Sequence, residues 1–417
     1  MGERKLREID DDKVWWLGAD YICPINSVPI REGVIGIENS RIVSVKARSA
    51  SRPRRLTDLG RCVLLPGFIN AHTHLELTDA HGLVAGPTPL IPWIEAMLST
   101  GIHHDVQRQA HSVRNGVQKS LLSGVTCLVD ICHNNAAWRF LQPAPIRSIC
   151  CAELLAIGKS TKFSPQNVAP SWEQFQSTDR LRMGLAPHAP TTTQPQVYLW
   201  AVEQSRHNGW LLTTHLAETP EEVQFTKTGG GAWREMLERR NVWNDSIQIP
   251  HCSPVEYAKQ LGLLAAPALL AHVNYLDDQD MAMLTGGRAS VVFCPRASAY
   301  YGHKGHRFAE MLDRGVNVCL GTDSLASNYS LSILDEMRYL YRQNPALAPA
   351  TVMAMATTNA ARAIGWDGQI GSICPGKFAD LVAVPLPKGC VDPLRSVLTS
   401  DAGVSAVFVN GQEISLT

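Results

Sequence analysis

No apolar run in this 417-residue chain approaches the roughly 18–20 residues that a membrane helix needs; the longest, Leu261 to Val273, is broken by Pro267. Excess charge of either sign is missing too. Lys plus Arg number 38 and Asp plus Glu 38, so nothing draws the chain as a whole toward a phosphate backbone or an anionic bilayer. Neither nucleic acid nor membrane is therefore an expected partner. The densest basic cluster, Arg52, Arg54 and Arg55, reads as a solvated loop. There is no C-x-x-C among the eleven scattered Cys, which excludes a zinc ribbon and speaks against a disulfide framework. The opening, MGERKLREIDDDK, lacks the apolar core of a secretion signal, and together with free thiols this places the expected location in the cytoplasm. Charged residues make up 18% and hydrophobic ones 45%, a balance that excludes disorder and supplies a large core.

What is present is a pattern of alternation. Both ends are β-rich: Val14–Leu17, Gly33–Ile37 and Arg41–Val45 at one, Ala379–Val384 and Ala402–Val409 at the other, with Asn410-Gly411 as a hairpin signal. Trp15 and Trp16 fit the core of such a unit. Between the ends, strand-like runs (Cys62–Leu65, Thr126–Ile131, Ile146–Leu154, Met183–Leu185, Leu211–His215, Leu269–His272, Ser290–Phe293 and Val316–Leu320) alternate with helix-length stretches such as Val106–Leu122, Gln196–Asn208, Pro220–Thr228 and Leu331–Gln343. About eight strand–helix pairs over roughly 300 residues predict an α/β fold, a (β/α)₈ TIM barrel. The expected division is a barrel over residues 67–368 and a small β-sandwich built from 1–66 and 369–417. Gly229-Gly230-Gly231 lacks a phosphate-loop context and reads as a flexible loop.

The chemistry begins with Pro66-Gly67-Phe68-Ile69-Asn70-Ala71-His72-Thr73-His74. Side chains at i and i+2 of an extended chain share a face, so His72 and His74 can aim together into a barrel mouth. Neutral imidazole is a good ligand for Zn²⁺. An isolated H-x-H is equally an ordinary pair of histidines. Here it is joined by His215 at the end of WLLTTH, Glu218 three residues on, His272 at the end of ALLAH, and Asp323 just past VCLG. Each sits at the C-terminal end of a predicted strand, where barrel enzymes carry their chemistry, and His72 and Asp323 lie about 250 residues apart, the length of one barrel.

The stretches PGFINAHTH, THLAE, LLAH, GTDS, TTNAARAIG and PGKFADLVAV, spanning most of the chain, resemble the amidohydrolase superfamily. That resemblance implies a metal-dependent hydrolase whose ligands are His72, His74, His215 and Asp323. Glu218 becomes the acid/base that reaches a ring nitrogen, His272 orients water or polarises the scissile centre, and Asp323 accepts the water's proton. No Lys lies inside IRSICCAELLAIG, and Lys159 falls beyond Gly158, so one divalent ion is expected rather than two, with Glu153 the alternative bridging carboxylate. Zn²⁺ suits the donor set; Fe²⁺ or Mn²⁺ occupies similar sites.

APHAP at 186–190 is similar to the deaminase branch of the superfamily and implies that His188 touches substrate. HTHLELT, Ile91-Pro92-Trp93-Ile94 and CPRASAYYGH resemble the subgroup that includes aminodeoxyfutalosine deaminase of menaquinone biosynthesis. On that resemblance Glu76 binds ribose or base edges, Trp93 covers the purine, and Arg296 or His303 engages a distal acid. Ala297-Ser298 and Asp79-Ala80-His81-Gly82 depart from the branch, which expects Ser-Asn and Arg-Gly there. The implied activity is hydrolytic removal of an amino group from an aminated heteroaromatic ring as ammonia, with the 6-amino group of an adenine nucleoside as target and a homodimer as the assembly. The alternatives are another leaving group, from a triazine-type ring or a cyclic amide, and a catalytically silent metal scaffold.

Overall fold

The computed structural model describes residues 13–49, 53–101, 106–133, 137–161 and 175–415. The opening residues 1–12 and Arg52 lie outside that set; Arg54 and Arg55 are exposed on a turn.

Eight parallel strands close into a barrel: Phe68–Thr73, Val125–Cys132, Arg147–Leu154, Leu181–Pro187, Leu211–Leu216, Ala268–His272, Ser290–Phe293 and Val318–Leu320, taken below as barrel strands one to eight. They are buried on both faces, which is why they read as nearly unbroken apolar runs. Within them residues alternate. Cys127, Val129, Ile149, Cys151, Leu269 and Cys319 belong to one core, and Leu128, Cys150, Leu185, Leu212, Leu270 and Val318 to another. Strands one and eight meet where the amides of Thr322 and Asp323 both donate to the His72 carbonyl, each at 3.1 Å. Asn70 reinforces the seam: its Nδ2 donates to Thr322 Oγ1 at 2.7 Å and its Oδ1 accepts from Thr322 N at 3.1 Å.

The chain ends form a second, eight-stranded sheet in the order Gln412–Glu413, Ala406–Val409, Leu381–Pro385, Cys62–Pro66, Trp15–Ile22, Ile30–Glu38, Arg41–Ala47, with Leu56–Asp58 beside Trp15–Ile22. It curls around a core of its own that includes Leu17, Ile35, Leu64, Leu381 and Phe408. Trp16 is buried, and Trp15 meets Phe408 at 5.7 Å between ring centroids. The expected barrel with a small β domain drawn from both termini is the observed fold.

One strand changes sheets. Cys62–Leu65, expected to open the barrel series, pairs antiparallel with Leu381–Pro385 in the terminal sheet, and the first barrel strand is Phe68–Thr73. The switch takes a single residue. Gly67 N donates to Asp380 O at 2.9 Å, in line with the terminal sheet, and Phe68 N donates to Gly124 O at 3.0 Å, entering the barrel. A Cβ at Gly67 would lie 2.1 Å from Thr126 Oγ1, so only glycine lets the chain pass this close to strand two. The triple glycine is also not a loose loop. Gly229 ends the helix Pro220–Thr228 with φ 72°, and Gly231 opens Ala232–Arg239.

The two units are joined by a buried ion pair. Arg147, at the start of strand three, places Nε 2.5 Å from Asp380 Oδ2 and lies over the Phe378 ring at 3.9 Å, while its other nitrogens reach Asp179 O and Asn410 Oδ1. The helix Pro393–Thr399 packs on the barrel as well, where Arg338 donates to Val397 O at 3.0 Å and to Ala402 O at 2.7 Å. Removing one member of a buried pair strands the other charge. Arg147→Ala is therefore expected to lower unfolding free energy by about 3–5 kcal/mol, read from chemical denaturation; a loss below 1 kcal/mol would contradict the junction role.

Candidate metal and catalytic site

Four of the expected ligands converge. His74 Nε2 and His215 Nε2 are 3.3 Å apart, and Asp323 Oδ1 is 3.5 Å from His74 Nε2 and 3.6 Å from His72 Nε2. A tetrahedral ion with bonds of 2.0–2.1 Å needs ligand separations of roughly 3.3–3.4 Å. Among the described residues His72, His74, His215 and Asp323 are the one group able to hold an ion in this way. The donors fit it chemically. Both ring nitrogens of His72 are buried without a hydrogen-bond partner, a state that is unfavourable unless something else satisfies them. His215 Nδ1 donates to His188 O at 2.9 Å, which leaves the Nε2 lone pair facing the cluster. Lys159 is elsewhere, with Nζ on Asn241 Oδ1 at 2.8 Å.

The local backbone is unusual at these points. Ile69 and Ala71 of strand one face the barrel core, yet so do His72 and His74. The register of strand one slips between Asn70 and Thr73, and that irregularity re-aims the histidines. Strands five, six and eight end in left-handed residues: Ala217 at φ 49°, His272 at 71°, Val273 at 49° and Asp323 at 58°. Non-glycine residues in this region are strained and cluster at functional sites.

Burial sets the charge states. It pushes the His74 imidazole down to about 4 and His272 to about 3, with neighbouring imidazoles adding to the effect, and takes His215 far below its ordinary value. Neutral imidazoles at His74 and His215 are what a cation requires of these two ligands. For Asp323 burial works upward, but the His72, His74 and His272 rings hold the carboxyl below its usual range. Glu218 goes the other way. Burial, with the Asp323 and Glu222 charges beside it, raises its carboxyl far above normal. Its Oε1 lies 3.6 Å from His272 Nε2, which has no hydrogen-bond partner. A carboxyl pushed toward its neutral form and one held below its usual range thus stand in one cavity.

The remaining expected residues divide. His188 packs its ring 4.7 Å from that of His215, and its Nε2 faces Glu153 Oε1 at 3.7 Å. Glu76 is buried and accepts from His133 N at 3.2 Å. Trp93 is buried edge-on to Tyr301 at 5.5 Å within an apolar cluster that includes Leu90, Ile91 and Tyr300. His303 accepts or donates at Tyr275 Oη, 3.0 Å away, and lines a cleft of about 290 Å³ with Asn274, Ser298 and His306. Arg296 Nη1 donates to Ser330 Oγ at 2.8 Å and lies 3.6 Å from Asp335, and its amide donates to Glu336.

A profile of the amidohydrolase family matches residues 63–414. The chain belongs to the amidohydrolase family. It is accordingly a hydrolase of carbon–nitrogen bonds, and its His/His/His/Asp group is the family's provision for a single divalent metal. The chain is 29% identical to the 5-methylthioadenosine/S-adenosylhomocysteine deaminase of Moorella thermoacetica over 94% of its own length and 91% of that protein. In fold it is similar to Helicobacter pylori aminofutalosine deaminase in complex with methylthio-coformycin, with a TM-score of 0.85 and 20% identity over 96% of this chain and 100% of the other. An adenosine deaminase from Xanthomonas campestris with bound zinc gives a TM-score of 0.81 and 22% identity over 96% and 92%.

Sequence reasoning passed over two residues beside this cluster. Glu222 accepts from Ala217 N at 2.8 Å and Glu218 N at 2.7 Å, so it holds the left-handed corner that presents Glu218. Its signal is Thr219-Pro220-Glu221-Glu222, a capping-box spacing. His133 follows strand two as His215 and His272 close strands five and six, and it binds Glu153. Two outcomes test the site. His72→Ala is expected to lower bound metal in elemental analysis, and full occupancy would remove His72 from the ligand set. Glu222→Ala is expected to keep the metal yet reduce kcat by roughly 10- to 100-fold, since small misplacements of a reacting group have that effect.

Proposed function

We propose that this chain is a zinc-dependent aminohydrolase that removes the 6-amino group of an adenosine-like nucleoside, releasing ammonia. The observation that carries the reading is Glu218, a buried carboxyl 3.6 Å from His272 Nε2, beside a three-imidazole, one-carboxylate cluster, that burial drives toward its protonated form. A divalent ion there supplies the Lewis acidity that brings a coordinated water's pKa toward neutrality. Glu218 holds the proton that the ring nitrogen next to the aminated carbon takes up as water adds. Asp323 receives the proton that water gives up, and Ser327 Oγ donating to its Oδ2 at 2.9 Å fixes the carboxylate's orientation. His272 turns Nε2 toward Glu218 and polarises the reacting centre. Overall, water and the aminopurine become the oxopurine and ammonia.

Supporting this are relatives named as 5-methylthioadenosine/S-adenosylhomocysteine deaminases across most of the chain. The substrates we put forward are 5-methylthioadenosine, S-adenosylhomocysteine and aminodeoxyfutalosine. In our reading Glu76 and His188 meet the sugar or the base edge, and Trp93, with Tyr301, walls the purine. We retain His303 as a distal contact. We also take residues 67–368 as the catalytic unit and 1–66 with 369–417 as the composite β unit. All eleven thiols are free, which agrees with a cytoplasmic enzyme.

Ammonia release from a panel of adenosine derivatives, set against halogenated triazines and cyclic amides, tests the assignment. Ammonia is expected from at least one aminopurine nucleoside. None from any, with turnover of a triazine or cyclic amide, would transfer the assignment to that other leaving group. Glu218→Gln is expected to keep the metal and lose about 10²–10⁴ in rate, the usual worth of general acid–base catalysis; near-normal turnover would exclude its role.

A further inference from the structure

Polar groups continue past the metal cluster along the ends of strands two, three and four. Glu153 is the centre of this row. It sits in register with Ala186, two residues before His188, on the paired strands three and four. Its Oε2 lies 2.5 Å from His133 Nδ1, and its Oε1 lies 3.7 Å from His188 Nε2. The first contact is a full hydrogen bond; the second is too long to be one.

The tautomer of His188 follows from its surroundings. Its Nδ1 is 2.6 Å from Thr192 Oγ1. With a carboxylate facing Nε2, the proton belongs on Nε2, and the Thr192 hydroxyl donates to Nδ1. The 3.7 Å opening therefore has an N–H donor on one side and a carboxylate acceptor on the other. The His188 side chain remains 27% exposed, so the opening is reachable, whereas Glu153 is 6% exposed and held by His133. An incoming anion would meet the carboxylate. A hydroxyl satisfies both sides, since it accepts from Nε2–H and donates to Oε1.

We infer that Glu153 and His188 form a notch that receives a sugar hydroxyl of the nucleoside, with Glu153 the residue that makes the site discriminate against a sugar lacking it. The inference rests on the proposed nucleoside chemistry. It gives Glu153 a specificity role in place of the metal-bridging one considered for it, and gives His133 the task of orienting it. The His133 amide is itself held by Glu76 Oε2 at 3.2 Å, so Glu76 and His133 together fix the Glu153 carboxylate.

The test compares kcat/KM for the best aminopurine ribonucleoside with its analogues lacking the 2′-, 3′- or 5′-oxygen substituent in turn. For the wild-type enzyme one analogue is expected to be about 10- to 100-fold poorer, as loss of a hydrogen bond to a charged group predicts. In Glu153→Gln that ratio is expected to collapse toward one, mainly through KM, with metal content retained. Should Glu153→Gln fail to fold, Thr192→Val loosens the notch from its other side and is expected to narrow the same ratio. Equal rates for all analogues with the wild type, or an unchanged ratio in a folded Glu153→Gln, would overturn the notch and leave the deaminase reading standing. No turnover of any aminopurine nucleoside by the wild type would defeat both.

Discussion

One carbonyl oxygen carries much of this architecture. His72 O accepts from Thr322 N and Asp323 N, and this pair of bonds is where a ribbon of eight strands becomes a closed barrel. The same contact brings a ligand from the first strand next to a ligand from the last. Backbone hydrogen bonds inside a dry core are difficult to exchange for water, so the closure is rigid, and the metal site inherits that rigidity. Buried side chains complete the seam: Asn70 and Thr322 satisfy one another's polar groups, and Thr73 Oγ1 donates to Asp323 O at 3.2 Å.

Around the seam the protein separates charge by burial rather than by distance. Asp323 and Glu218 occupy the same cavity, yet one stays ionised among imidazoles while the other is driven toward its neutral form by desolvation. Two carboxyls with opposed tendencies are a common arrangement for moving a proton in one direction. The cost at the site includes backbone strain at Ala217, His272, Val273 and Asp323, and Glu222 shows how one such corner is held.

The barrel was legible in the sequence because each strand is buried on both faces and some intervening helices, such as Val106–Leu122 and Pro195–Asn208, are long enough to show their period. The four ligands and Glu218 were legible because they close those strands. The errors came where two signals coincide. Cys62–Leu65 is as apolar as any barrel strand, and only its pairing with Leu381–Pro385, far along the chain, assigns it to the other sheet. His72 and His74 reach the cluster from a strand whose register slips between Asn70 and Thr73, which a simple period of two does not contain. Glu153 and His133 acquire meaning only beside each other, on strands whose adjacency is a property of the fold.

The single-residue passage at Gly67 has a consequence for biosynthesis. The strand Cys62–Pro66 leaves the ribosome about 300 residues ahead of Leu381–Pro385, the partner that covers one of its edges. Until then its apolar side chains and unpaired amides are open to any other strand edge in reach. The barrel, whose last strand ends at Leu320, can therefore form while tethered, through one glycine, to a half-built sheet that the strands from Leu381 onward complete. Such long-range closure favours slow folding and gives chaperones a defined segment to shield.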